Sequence, residues 1–177
     1  MISKTMQDAL NAQINLEQYS AQLYLAMSAH CTGKSFKGFA HWLTVQASEE
    51  TAHAAKLIRF LLDRGGQLEL KAIAAPPTDF GGVIQVFEQT LAHEKSITGR
   101  ISALFEQARN EKDHASEIAL QWYVTEQVEE EAGVGERTVY RHFPTREALM
   151  GAFWAWLQTQ AVAPTRPAKA RVRDAVR

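Results

Sequence analysis

The feature that most constrains this chain is a helical stripe interrupted at its centre by two ionisable groups. Between residues 36 and 64, Phe39, Leu43, Gln46, Glu50, His53, Leu57 and Phe60 recur at helical spacing. Residues three and four apart share one face of a helix, so all seven lie on one stripe. The stripe is apolar at both ends and demands burial. Its middle carries a carboxylate and an imidazole three residues apart. A buried carboxylate is tolerated only when it is neutralised, paired or bound to a metal. The rest of the chain must therefore bring partners to Glu50 and His53.

Three other stretches repeat the pattern. Residues 5–32 place Leu10, Ile14, Glu17, Ala21, Tyr24, Met27 and Cys31 on one side. Residues 83–109 do the same with Val83, Phe87, Leu91, Glu94, Ile97, Ile101, Leu104 and Phe105, and residues 114–132 with Leu120, Tyr123, Gln127 and Glu130. Gly33 ends the first pattern and Ser35 is the expected N-cap of the second. Gly65-Gly66 stops the second helix, and Asn110-Glu111-Lys112-Asp113 is a short turn. Residues 67–82 hold Pro76, Pro77, Gly81 and Gly82 and no long helical period. That length suits a crossover along a four-helix bundle rather than a tight turn. The predicted fold is all-α: a four-helix bundle with a long crossover between helices 2 and 3.

At 177 residues, 46% apolar and 22% charged, the chain fits one globular domain with a small appendage. No apolar run is long enough to span a membrane, and residues 1–8 lack the apolar stretch of a signal peptide. A cytoplasmic protein is the default expectation. The single Cys31 excludes an internal disulfide framework and a cysteine-based zinc site. The net charge of −1 conceals a split. Residues 1–132 carry 11 Lys+Arg against 17 Asp+Glu, whereas residues 133–177 carry 8 against 3. Segments of opposite charge suggest distinct roles. The expected organisation is a bundle over 1–132, a helical appendage over 133–162 and a basic disordered tail over 163–177.

Glu17, Glu50 with His53, Glu94, and Gln127 with Glu130 would meet at mid-height in a folded bundle. Singly, each has an ordinary reading. A lone mid-stripe Glu usually marks a misjudged rotation, and a lone inward His a hydrogen-bonded core residue. Tyr24 and Tyr123 alone are ordinary core aromatics, and Glu129-Glu130-Glu131 alone a solvated face. Four stripes interrupted at one height shift the balance. Gathered carboxylates repel and lose solvation, and divalent cations remove that penalty. Oxygen-rich ligation with one imidazole suits iron or manganese better than structural zinc. Glu50 is the natural bridge between two metals. Glu49, Glu126, Gln127 and Glu129 are further candidate ligands, since Glu126, Glu129 and Glu130 line a common face.

Several runs carry a family resemblance: Asn15-Leu16-Glu17-Gln18-Tyr19-Ser20-Ala21 with Tyr24, Ser48-Glu49-Glu50-Thr51-Ala52-His53, His93-Glu94, and Trp122 through Glu131. With them, residues 1–132 resemble a bacterial non-haem ferritin. The resemblance implies iron storage with ferroxidase activity. Glu17, Glu50 and His53 would hold a first iron, and Glu50, Glu94 and Glu130 a second with Gln127 close by. Glu49, Glu126, Glu129 and Glu130 would hold a third. Tyr24 would hydrogen-bond at the centre and donate an electron. Dioxygen or peroxide would oxidise Fe(II), and Fe(III) would pass to a mineral core inside a homo-oligomeric shell of 24 subunits. Thr51 and Ala52 stand where a haem-binding relative places its methionine, so no haem is expected.

The resemblance ends near residue 132. A ferritin's fourth helix runs further and is followed by a short fifth. Here residues 132–149 resemble part of a TetR-type DNA-binding domain, with an Ala-Gly-Val turn and the run Thr138-Val139-Tyr140-Arg141-His142-Phe143. The rival reading is a DNA-binding transcriptional regulator. Charge argues against specific nucleic-acid binding: the helix before the turn carries Glu126, Glu129, Glu130 and Glu131, which repel phosphates. Residues 136–143 and 146–160 are expected to be helical. Phe153, Trp154, Trp156 and Leu157 form an aromatic stripe expected to pack on the bundle end or at a subunit contact.

Overall fold

The computed structural model describes residues 1–134. Four helices fill it: α1 (Lys4–Gly33), α2 (Lys37–Asp63), α3 (Val83–Asn110) and α4 (His114–Val134). The expected appendage, the aromatic stripe at 153–157 and the basic tail lie outside the described residues.

Local chemistry fixes the helix ends. The Ser3 hydroxyl caps α1 by accepting from the Met6 amide at 3.0 Å. Asp113 caps α4, accepting from the Ser116 amide at 3.2 Å. The first three helices close in one way. After α1, the Phe36 amide reaches back to the Cys31 carbonyl and the Ser35 amide to Thr32. After α2 the pairs are Gly66 to Leu61 and Gly65 to Leu62, and after α3 they are Asp113 to Ala108 and Lys112 to Arg109. This double bond pattern is the Schellman motif, which needs a left-handed residue just past the helix. Gly65 takes that place at φ 73°, but Ser35 and Lys112 take it at φ 63° and 55°. Ser35 is thus no N-cap. It closes α1, and α2 starts after Phe36 with no side-chain cap.

α1 packs against α2, α3 against α4, and α1 also touches α3. The connection from α2 to α3 runs the length of α1, tied to it by polar side chains. Near the start of α1, Asn11 Nδ2 donates to the Gln67 carbonyl at 2.9 Å, and its Oδ1 accepts from the Glu69 amide at 2.8 Å. Near its end, Lys34 Nζ donates to the Gly81 carbonyl at 2.7 Å. This is the expected crossover. It makes α2 and α3 parallel, and Arg64 at the end of α2 pairs with Asp113 after α3 at 3.0 Å. Burial opposes the Asp113 charge, but the Arg64 and Ser116 bonds outweigh it and hold the carboxyl below its ordinary value.

The core has two apolar halves. One gathers Met6, Leu10, Ile14, Leu57, Leu61, Ile97, Ile101, Leu104 and Leu120. The other gathers Leu23, Met27, Cys31, Phe39, Leu43, Phe80 and Val86. Between them lies a buried polar belt containing Glu17, Glu50, His53, Glu94 and Gln127. The α1 stripe is buried throughout. The first half of α3 is rotated by about one residue from the expected face: Val86 and Thr90 are buried, whereas Val83, Phe87 and Leu91 are only partly so. The Thr90 hydroxyl makes this possible by folding back onto the Val86 carbonyl at 2.9 Å, hiding its polarity from the core. Among the described residues, no helix is long and apolar enough to cross a membrane.

Candidate metal centre

Glu17 on α1 and Glu50 and His53 on α2 form the heart of the belt. Each offers one ligand atom, and the three atoms lie within 4.8 Å of one another. His53 Nδ1 sits 3.4 Å from Glu50 Oε2 and 3.9 Å from Glu17 Oε2. None of these three atoms has a hydrogen-bond partner, although all are buried. A buried polar atom left unpaired costs about 1–3 kcal/mol. Among the described residues, the fourth such side-chain atom is the hydroxyl of Tyr123, whose ring lies 5.1 Å from that of His53. Three orphaned donors of lone pairs converging on one point is the arrangement a divalent cation satisfies.

The other halves of these groups are held. Gln13, one turn before Glu17, donates to Glu17 Oε1 and leaves Oε2 facing inward. Glu94 on α3 is fully enclosed. Its Oε1 accepts the Tyr24 hydroxyl and its Oε2 accepts Gln127 Nε2 at 3.3 Å. Beside Tyr24, the ring of His93 packs edge-on at 5.8 Å, and its Nε2 pairs with the Ser20 hydroxyl at 2.7 Å.

The electrostatics follow from this crowding. Burial pushes the Glu50 carboxyl up to about 8, and the charges of Glu94, Glu130 and Glu49 add to the effect. Burial does the same to Glu130, also to about 8, with Glu94, Glu49, Glu126 and Glu129 contributing. Glu17 is raised well above its ordinary value, by burial first and by Glu50 second. Glu94 is raised by burial despite its bonds from Tyr24 and Gln127. Tyr24 and Tyr123 are phenols held neutral by burial and by the adjoining carboxylates. Carboxyls crowded until they hold their protons near neutral pH mark a site built for something positive.

Of the predicted residues, Glu17, Tyr24, Glu50, His53, Glu94 and Gln127 are buried in the belt, and Glu130 is half-buried beside it. Glu126 is half-buried, its Oε1 4.0 Å from His53 Nε2. Glu49 and Glu129 are exposed, with Glu49 accepting from Gln46. A cleft of about 470 Å³ lined by Glu49, His53, Lys56, Arg59, Trp122 and Glu126 opens onto His53 from outside. Lys56 Nζ sits 3.3 Å above the Trp122 ring at its mouth. Sequence reasoning missed Gln13 and Thr98, both of which hold site residues. Their only signal was helical spacing, one turn before Glu17 and one turn after Glu94.

A profile of the ferritin-like domain matches residues 7–138. The chain belongs to the ferritin family. It is 42% identical over 132 residues to the bacterial non-heme ferritin of Staphylococcus aureus (strain MRSA252), covering 75% of this chain and 80% of that one. Identity to the bacterial non-heme ferritin of Staphylococcus haemolyticus is also 42% over 132 residues. Among solved structures, an open pore ferritin from the hyperthermophilic archaeon Archaeoglobus fulgidus superposes with a TM-score of 0.82 at 41% identity, over 88% of this chain and 97% of that chain. A humanized archaeal ferritin gives 0.82 at 40%, over 88% of this chain and 96% of that one. This ferritin chain also matches, over residues 124–153, a profile of bacterial regulatory proteins of the tetR family. That second match begins inside α4.

Proposed function

We propose that this ferritin stores iron and is a ferroxidase, oxidising Fe(II) in its central belt and passing Fe(III) to a mineral held within a homo-oligomeric shell. The observation that carries the reading is the trio of unpaired buried ligand atoms on Glu17, Glu50 and His53. Fe(II) is the substrate these atoms would bind first. Glu50, with a second oxygen to offer, bridges to a second ion shared with Glu94 and Glu130. The two positions differ in readiness. The first needs only loss of protons. At the second, the Glu94 oxygens already accept from Tyr24 and Gln127 and would offer a metal only their remaining lone pairs. Binding at the first position therefore precedes binding at the second.

Hard carboxylate oxygens favour Fe(III) over Fe(II) and so favour electron loss to dioxygen or peroxide. One nitrogen ligand keeps the set loose enough for product to leave. Charge stabilisation and templating of the two ions carry the catalysis. Tyr24, hydrogen-bonded to Glu94, is placed to hold that carboxylate and to supply an electron. Glu49 and Glu126, which line the cleft beside His53, would make up a third iron position with Glu129 and Glu130. No haem is assigned, and a cytoplasmic location is part of the proposal.

Aerobic addition of Fe(II) tests the reading. Ferric absorbance should appear rapidly with the natural chain and fall by at least about 100-fold in initial rate with Glu50→Ala or His53→Ala, since ligand loss disables both positions or the first. Variants as fast as the natural chain would sink it.

The tetR-family match favours a second reading, a DNA-binding regulator. α4 is already committed to the bundle through Leu120, Tyr123 and Gln127, and where the match begins it carries Glu126, Glu129, Glu130 and Glu131, none of them buried, which repel phosphates. This reading predicts a salt-dependent gel shift on a defined operator, and the first predicts none.

A further inference from the structure

Gln127 is an amide in a belt of carboxylates, and which end of it faces Glu94 decides whether the contact attracts or repels. Its Nε2 donates to Glu94 Oε2 at 3.3 Å and to Thr98 Oγ1 at 3.2 Å. The Glu94 carbonyl, at 3.4 Å, shares the first of these protons. The Thr98 hydroxyl has one proton, and it goes to Glu131 Oε1 at 2.5 Å. Carboxylate oxygens accept only, so this bond fixes the direction of the chain. Glu131 takes the Thr98 proton, Thr98 must then accept, and the amide must present its NH2 end.

We infer that Thr98 and Glu131 form an orientation lock on Gln127, making Thr98 a positioning residue for Glu94 and hence for the second metal position. The inference rests on the metal reading above. Thr98 stands one helical turn beyond Glu94 on α3, and Glu131 one turn beyond Gln127 on α4. The pair thus couples two helices beside the site without touching a bound ion. With the hydroxyl gone, Gln127 loses one of the three acceptors that hold its NH2 end in place, leaving only the two longer bonds to Glu94. A flipped amide would place Oε1 against Glu94 Oε2 and push that carboxylate aside. A free hydroxyl, as left by loss of Glu131, would donate to the amide oxygen and favour the same flip. Orientation of ligating carboxylates by hydrogen-bonded neighbours is a general device, and losing one such neighbour costs about 10–100-fold in metal affinity.

The test is anaerobic titration of the full chain with Co(II), followed by its visible absorption bands and by calorimetry. In the natural chain the first and second positions should fill before the third, whose Glu49 and Glu129 are exposed. Thr98→Val, which keeps shape and removes the hydroxyl, should weaken the second position about 10-fold or more, alter its absorption bands, and leave the first unchanged. Thr98→Ser should restore both affinity and bands, and Glu131→Ala should reproduce Thr98→Val. Rescue by Ser separates orientation from packing, because Ser has the hydroxyl without the methyl. The inference is overturned if Thr98→Val binds two ions as tightly as the natural chain, or if Thr98→Ser is as weak as Thr98→Val. Equal weakening of both positions also overturns it, since the lock touches only Glu94. A natural chain that binds no Co(II) overturns the metal reading itself, and this inference with it.

Discussion

A proton and a metal ion are alternative ways of making the belt tolerable. In the metal-free protein Glu50 and Glu130 titrate near 8, against an ordinary 4.5. The unfolded chain gives up these protons first. Their contribution to stability is therefore complete below about pH 4.5 and is lost as pH rises toward about 8. Asp113, held below its ordinary value, acts in the opposite sense but in a more acid range. Metal-free protein should thus melt lower at about pH 8 than at about pH 6. A bound cation takes the protons' place, so added Co(II) should raise Tm more at the higher pH. Differential scanning calorimetry at the two values checks this, and an equal gain at both would count against it. Tyr24→Phe is the complementary test. It removes one of the two bonds on Glu94 while keeping the ring, so ferric product should still form, at a lower rate. An unchanged rate would remove Tyr24 from the mechanism.

At the scale of the helix, the clearest consequence concerns the ends. Lys112 closes α3 from a left-handed backbone at φ 55°, which costs a side-chain-bearing residue roughly 1 kcal/mol. Lys112→Gly should stabilise the protein by about 0.5–1 kcal/mol, seen as a higher urea midpoint at unchanged slope. A lower midpoint would show that the Lys112 side chain contributes something the backbone argument omits. Such closures explain where the sequence was legible and where it was not. Gly65 and Gly66 announce the end of α2 because glycine is the usual residue there. Ser35 misleads, since serine more often begins a helix, and only the paired bonds to Cys31 and Thr32 show it ending one. Helix spans were readable to within two residues because four long periodic stripes leave little choice. The rotation of α3 was not, because Thr90 reads as polar until its hydroxyl is seen bonding Val86. Gln13 and Thr98 escaped for a related reason: each lies one turn from a recognisable residue, but the bonds through which they act, Gln13 to Glu17 and Gln127 to Thr98, are not revealed by spacing.

Across the whole molecule, two apolar halves enclose a charged middle, and the crossover straps α1 along its length. Outward-facing Ile118 and Val128 on α4 are 70% and 68% exposed, and Leu25 and Leu70 add apolar surface elsewhere. Apolar surface of this kind is what subunit contacts cover. Under the shell proposal, light scattering should give a mass many times that of the 19.8 kDa chain; a monomer would contradict it. Deleting residues 144–177 should reduce assembly if the aromatic stripe at 153–157 serves a contact, and an unchanged mass would dismiss that role. The central claim is narrower than assembly: Glu17, Glu50 and His53 leave three buried atoms unpaired because a divalent cation belongs among them. Anomalous diffraction from crystals soaked anaerobically in Fe(II) tests it most directly. The account predicts an iron peak within coordination distance of Glu17 Oε2, Glu50 Oε2 and His53 Nδ1. Crystals that show no iron there, with these side chains bonded instead to one another or turned to solvent, would contradict it.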